Sequence, residues 1–327
     1  MATSGTVGAT VIDTSTVLEH AFRRCKIKPA MQTPEAVAMA KENLYLLLLS
    51  LSNRGLNLWC VESNLLSLYN GQQTYDTATG TIDVLNVVYC QPTRVTGTDT
   101  TAATSVITQL SSSTKIIRVG IKCSAVTASD TLTVSYSTAG VSYTTAFTET
   151  KTDWAANTFY WFDLDPTITD VYFKASFGSA ATFSEFYLAN TSYDLPLTIW
   201  NRDTWAAINN KTQSSHPSTN YYYEKFLTPR ITLWPVPDGA YYHLRVWRHR
   251  QVQDIGSLSQ QIEVPQRWVD PIAWQLAAAL CFELEGVDPA WVPNVITMAQ
   301  QNLILGEMDE TDGAPLMLQP GISVYTR

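Results

Sequence analysis

Charge is scarce in this chain. Of 327 residues only 15% are Asp, Glu, Lys or Arg, and the balance is acidic, with a formal net charge of −8. The shortage of positive charge argues against a protein that grips nucleic acid by its phosphates, which takes clustered Lys and Arg. It does not exclude one past which DNA slides. Weakly charged surface is also easier to bury against other subunits, a hint of assembly. Cysteine is sparse too: Cys25, Cys60, Cys90, Cys123 and Cys281 are odd in number, widely spaced and without a Cys-x-x-Cys. That excludes a recognisable disulfide framework or zinc motif. No apolar run reaches membrane-spanning length. The first residues have no basic segment or apolar core, so the expectation is a chain made in a reducing cytosol, where the Asn190 and Asn210 glycosylation patterns are chance matches.

Catalytic signatures are missing as well. The four histidines, His20, His216, His243 and His249, have no metal-ligand spacing, and there is no Gly-x-Ser-x-Gly, Gly-x-Gly-x-x-Gly or phosphate loop. Asp163 and Asp165 share one side of a predicted strand. They read as a solvent-facing strand end before Pro166 or, as the sharper alternative, an acid pair or cation site. Asp309-Glu310-Thr311-Asp312-Gly313 lacks calcium-loop spacing. The expectation is no catalysis, no metal and no cofactor.

What is present is an aromatic, proline-punctuated third quarter: Tyr221-Tyr222-Tyr223, then Pro229-Arg230-Ile231-Thr232-Leu233-Trp234-Pro235-Val236-Pro237. Ile231 to Trp234 reads as a short strand stopped by prolines that cannot donate to a ladder. Asp238-Gly239 supplies a turn, and Tyr241 to Arg250 returns as the second strand of a hairpin. Basic residues lie on both faces of that strand. They fit either contact with an acidic partner or DNA, or a charged edge guarded against aggregation.

The N-terminal quarter is helical. Thr16-Val17-Leu18-Glu19 forms a capping box, and Thr33-Pro34-Glu35 opens a second helix whose Val37, Ala40, Leu44, Leu47, Leu48 and Leu51 share a face, with Gly55 as its C-terminal cap. Strands are predicted over 56–61 and 81–91, with turns at Asn70-Gly71 and Thr79-Gly80. A short helix is predicted after Asp203 as N-cap. Two C-terminal helices are predicted over about 266–285 and 290–309, the first with Pro271 in its opening turn. Between Thr96 and Thr191 about a third of residues are Ser or Thr, helical periodicity disappears, and six short alternating runs signal a β-sandwich or jelly roll. Trp154, Tyr160, Trp161, Phe162, Tyr172 and Tyr187, with Tyr193 just beyond, read mainly as core rings, with stacking on sugars as the alternative.

The phrase Ile208-Asn209-Asn210-Lys211-Thr212, His216-Pro217 to Tyr223, and Pro229 to Pro237, together with Val264-Pro265-Gln266-Arg267-Trp268 ahead of an Ala/Leu-rich helix, resembles the podovirus-like head-to-tail adaptor (connector) proteins of tailed bacteriophages. The resemblance covers about residues 10–92 and 195–320. Together with the strand-rich segment, which lies outside the resemblance, it gives an α+β expectation: a helical-bundle adaptor core with short β-hairpins (1–95 and 192–311), an inserted all-β jelly-roll or sandwich domain (96–191) and an extended tail (312–327). It implies a virion protein at the head–tail junction, assembled in the host cytoplasm. Its partners would be a homo-oligomeric ring, commonly of twelve, the portal, a tail nozzle or tail-tube protein, and passing DNA without sequence recognition, with no membrane; tail fibres are a further candidate partner through the insert, which the resemblance does not cover. Candidate interaction residues are Trp234, Pro235 and Pro237 of the elbow; Arg245, Trp247, Arg248 and Arg250 of the basic strand; and Pro315, Leu316, Pro320 and Tyr325 of the tail. The alternative is a carbohydrate-binding or fibre-attachment surface protein acting through 96–191; a hydrolase using Asp163 and Asp165 is the least supported.

Overall fold

The structure is a computed structural model that describes residues 12–28, 32–53, 58–253 and 255–308. Along them run α1 (Thr14–Arg24), α2 (Pro34–Asn53), β1 (Val61–Ser67), β2 (Thr74–Asp76), β3 (Thr81–Val95), β4 (Gly97–Ala102) and β5 (Ser105–Ala125). Then come β6 (Asp130–Ser137), β7 (Thr144–Lys151), β8 (Phe159–Phe177), β9 (Thr182–Pro196), β10 (Thr198–Trp200) and α3 (Arg202–Ala207). The remainder is β11 (Asn220–Glu224), β12 (Arg230–Trp234), β13 (His243–Arg250), α4 (Gln266–Leu280) and α5 (Val292–Met308). The chain divides into two units, one of residues 1–61 and 250–327, the other of residues 62–249.

The first unit is helical, and its core is built from both ends of the chain. Val17, Leu18 and Phe22 of α1, Leu44, Leu48 and Leu51 of α2, and Trp268, Ile272, Leu276 and Leu280 of α4 form one buried cluster. The i, i+3, i+4 spacing of these residues puts each set on a single helix face. Trp59 packs on Trp268 with ring centroids 5.5 Å apart. Thr33 caps α2, its Oγ1 accepting from the Ala36 N–H at 3.2 Å, as the Thr-Pro-Glu pattern predicts. Gly55 lies outside the described residues. At α1 the expectation fails: the helix starts at Thr14 with Asp13 as N-cap, so Thr16 and Glu19 are inside it. Pro271 is six residues into α4, which already begins at Gln266. A proline there forgoes the hydrogen bond its N–H would make to the Arg267 carbonyl, and burial of its ring beside Trp268 and Ile272 holds it in the core.

The second unit is a β-sandwich. Its larger sheet has nine strands, in the path β1-β13-β3-β9-β5-β8-β6-β7 with β4 added on β5. Two strands are unusually long, β5 with 21 residues and β8 with 19. Their mutual register breaks between Gln109 and Thr114 and again between Ile116 and Arg118. Bulges of this kind bend a strand and raise its twist. The sheet therefore folds over itself, and both arms of β5 and β8 contribute to one core containing Val106, Ile116, Leu132, Val134, Trp154, Phe173 and Leu188. The predicted strands at 159–164 and 171–176 are the two ends of β8.

The smaller sheet runs β10-β11-β12-β2. Alternation sends Tyr221 and Tyr223 of β11 and Ile231 and Leu233 of β12 inward, where they pack with Val87 and Tyr89 of β3 and Leu244 and Val246 of β13. Tyr222 faces outward and stacks on Trp205 of α3, ring planes 11° apart. The N-cap of α3 is Asn201, whose side chain accepts from the Thr204 N–H at 2.7 Å, in place of the expected Asp203.

The expected helical-bundle core with an inserted sandwich is overturned. Strands dominate the chain, and residues assigned to the adaptor core belong to the sandwich's own sheet: β3 runs antiparallel to β9 from Val88–Pro196 to Val95–Leu188. The composition change near Thr96 begins at β4, where all six residues are exposed, and does not mark a seam in the hydrogen-bond ladder. The expected hairpin is also absent. β12 pairs with β11 and β2, whereas β13 lies between β1 and β3 in the other sheet. The Pro235–Pro237 elbow carries the chain from one sheet to the other, because prolines that cannot donate end β12 there.

Candidate functional site

Within the β unit, β1, β7, β8 and β13 enclose a cleft of about 690 Å³. β1 and β7 are the two ends of the larger sheet's strand path, so the opening falls where the folded sheet does not pair with itself. Phe147 of β7 and Trp161 and Phe162 of β8 line it with aromatic surface. Phe147 and Phe162 pack against each other with centroids 5.2 Å apart. Trp161 is buried, and its indole N–H has no hydrogen-bond partner among the described residues.

The charged groups of the cleft are already matched. Asp163 Oδ1 accepts from Arg118 Nε and its Oδ2 from Arg245 Nη2, each at 2.7 Å. Arg248 donates to Glu62 Oε1, to the Ala78 and Thr79 carbonyls and to Thr81 Oγ1 at 2.7–3.0 Å. Asp76 accepts from Arg230 at 2.9 Å, and Lys151 lies 3.9 Å from Glu149. The result is a polar lining with little uncompensated field.

Behind Asp163 sits a buried polar node. Arg118 is 3% exposed, and its Nη1 lies 2.6 Å from His243 Nε2. A guanidinium can only donate, so Nε2 accepts and the imidazole proton resides on Nδ1. Burial, followed by the positive charges of Arg118 and Arg245, holds the His243 pKa well below its ordinary value. The rings of His243 and Trp161 are 4.5 Å apart, which ties the node to the cleft wall.

The sequence-derived candidates divide. Arg245 and Arg248 do meet at this site, but as partners of Asp163 and Glu62. Trp247 is 39% exposed. Arg250 pairs with Glu263 in the helical unit. The elbow is an internal clasp: Trp234 Nε1 donates to the Asn210 carbonyl at 3.0 Å, its ring packs on Trp200 at 5.2 Å, and Ser218 Oγ donates to the Pro235 carbonyl at 2.8 Å. Pro235 and Pro237 are buried. Pro315, Leu316, Pro320 and Tyr325 lie outside the described residues. Asp163 and Asp165 make no acid pair, since Asp163 is held between two arginines. Of the rings flagged in the sequence, Trp154 is core, edge-on to Tyr160 and Phe177, while Tyr193 is 64% exposed.

Sequence reasoning missed Arg118, Glu62 and Phe147. Arg118 carried a usable signal, a lone charge inside the apolar run Ile116-Ile117-Arg118-Val119; the partners of such a residue come from distant strands. Among the described residues no cluster of His, Cys, Asp and Glu is arranged to hold a metal ion, and no helix is long and apolar enough to cross a membrane.

The fold and cleft define the class: a chain of one helical unit and one larger β-sandwich unit that carries a polar, aromatic-walled cleft. No protein-family model and no curated protein matches the chain. Solved structures similar to parts of it include an F5/8 type C domain from Bacteroides fragilis, 15% identical, covering 27% of this chain and 64% of that one at a TM-score of 0.23. Another is the CBM32-1 module of a family 31 glycoside hydrolase from Clostridium perfringens, 12% identical, covering 41% and 92% at 0.21. A third is chitosan-binding module 1 of a chitosanase/glucanase from a Paenibacillus species, 16% identical, covering 39% and 92% at 0.21. Likenesses of this size carry no argument about this chain's fold or function.

Proposed function

We propose that the β unit is a non-catalytic carbohydrate-binding surface that takes a neutral saccharide in the cleft. The observation that carries this is the aromatic surface of Phe147 and Phe162, which pack on each other in the cleft with Trp161 beside them, next to polar groups whose charges are already matched. A sugar offers an apolar ring face to an aromatic wall and hydroxyl groups to polar side chains such as Asn64 and Thr148 that line the cleft. A phosphate or a metal ion would need an excess of one charge, which the ion pairs remove. The site draws on β1 and β13 as well as on residues 96–191, so the saccharide surface is wider than the segment first singled out. Screening the full-length protein on a broad glycan array tests this. Binding lost on Phe162→Ala supports it, and an array without signal overturns it.

A second reading rests on a different observation, the sequence phrase of residues 208–237: a structural protein of a phage virion that joins portal to tail as a ring. The two are compatible, since a saccharide-binding β unit can decorate such a protein. Electron microscopy of the purified protein mixed with its portal tests it; failure to form a ring with portal present would sink it.

A further inference from the structure

Two cysteines from opposite ends of the sequence meet in the helical unit. Cys25 follows the last residue of α1 and Cys281 the last residue of α4. Their Sγ atoms are 3.6 Å apart across a separation of 256 positions. Cys25 Sγ also donates to the Ala277 carbonyl at 3.3 Å, which ties it to the last turn of α4. Cys25 is 1% exposed and Cys281 8%, with Phe282 beside it 73% exposed. The pair thus lies just below the surface, Cys281 outermost.

We propose that Cys25 and Cys281 are a modification site that closes to a disulfide when the protein meets a small-molecule disulfide oxidant. Forming the bond requires the sulfurs to close from 3.6 Å to ~2.04 Å. Cys281, as thiolate, attacks one sulfur of the small disulfide; that S–S bond breaks, one thiolate leaves, and a mixed disulfide remains on Cys281. Cys25, as thiolate, then attacks Cys281 Sγ and expels the second thiolate. The two cysteines lose two electrons and two protons, and the small disulfide is reduced to two thiols. Burial pushes both thiols up, so the attacking thiolate is scarce at neutral pH and exchange is slow in a reducing compartment.

The location gives the bond its consequence. The helical unit is assembled from residues before 62 and after 249, whose only covalent link is the intervening chain of the β unit. A Cys25–Cys281 bond adds a second link between α1 and α4, closing a long loop and limiting the unfolded ensemble.

The test treats full-length protein with oxidised glutathione at about pH 8.5, near the ordinary thiol pKa, followed by alkylation and peptide mapping. The expected result is a Cys25–Cys281 cross-linked peptide, with Cys60, Cys90 and Cys123 alkylated after unfolding. The thermal midpoint should rise by about 5 °C and fall back with dithiothreitol. Cys25→Ser should stop at a glutathione adduct on Cys281; if that variant does not fold, Cys281→Ser, at the less buried position, should leave Cys25 unmodified. A lasting adduct on Cys281 of the unaltered protein, two unreacted thiols, or a cross-link that leaves the midpoint unchanged would overturn the proposal.

Discussion

Arg118 and His243 are joined inside the β unit at 2.6 Å, a guanidinium held against a neutral imidazole, although they stand 125 positions apart. Because the folded pKa of His243 is depressed, the unfolded chain binds a proton there that the folded chain does not. Stability contributed by keeping this ring neutral is complete above about pH 6.5 and is lost as pH falls toward the folded value, at about 1.4 kcal/mol per pH unit. Urea denaturation from pH 7.5 to 5 should show that slope, and His243→Gln should flatten it. An unchanged slope in the variant would place the acid sensitivity elsewhere.

Arg118→Met should destabilise the β unit by about 3 kcal/mol, since it leaves His243 Nε2 without its donor and Asp163 with a single arginine. Equilibrium denaturation followed by tryptophan fluorescence measures this, and a loss below about 1 kcal/mol would mean that the node relaxes onto water.

Gly120 faces the aromatic cluster so closely that an added Cβ would lie 2.4 Å from Phe159 Cε1 and 2.9 Å from Trp161 Cζ3. Gly120→Ala should therefore cost about 1–3 kcal/mol through overpacking, and by shifting Trp161 it should also weaken saccharide binding. Thermal melts and array titration read the two effects separately.

Trp161→Phe keeps an aromatic ring at this position but removes the second ring of the indole together with its N–H. Its expected effect on saccharide affinity is a loss of about five- to tenfold through the lost aromatic contact, worth about 1 kcal/mol. Leu276→Ala, in the core of the helical unit, should cost about 2–5 kcal/mol of that unit's stability while leaving affinity intact. Calorimetric titration of the two variants would expose a binding defect that was merely instability.

Helices were the most legible part of the chain, because a cap and a 3.6-residue stripe are local. Thr33-Pro34 sets the start of α2, and the burial of Leu44, Leu48 and Leu51 follows from their spacing. Strands were legible as short alternating runs, but not their lengths. β8 reads as two strands because Pro166 interrupts the pattern, and pairing with β5 on both sides of the break, at Ile168 and at Asp163, makes it one strand. The prolines after Trp234 predict the end of β12, and the hairpin that the following turn suggests does not form. Proline fixes where a strand loses its donor; nothing in Trp234-Pro235-Val236-Pro237 specifies which sheet receives the next strand.

By itself the sequence determined the acidic, charge-poor surface, the helical ends, the strand-rich middle and the proline stop after Trp234. Each depends on residue type and near-neighbour spacing. Only the tertiary structure decided that residues 81–95 and 182–196 share a ladder, that Arg118 meets Asp163 and His243, that Phe147 faces Phe162, and that Cys25 meets Cys281. Those contacts join residues 15 to 256 positions apart, and their selection rests on which buried surfaces fit together.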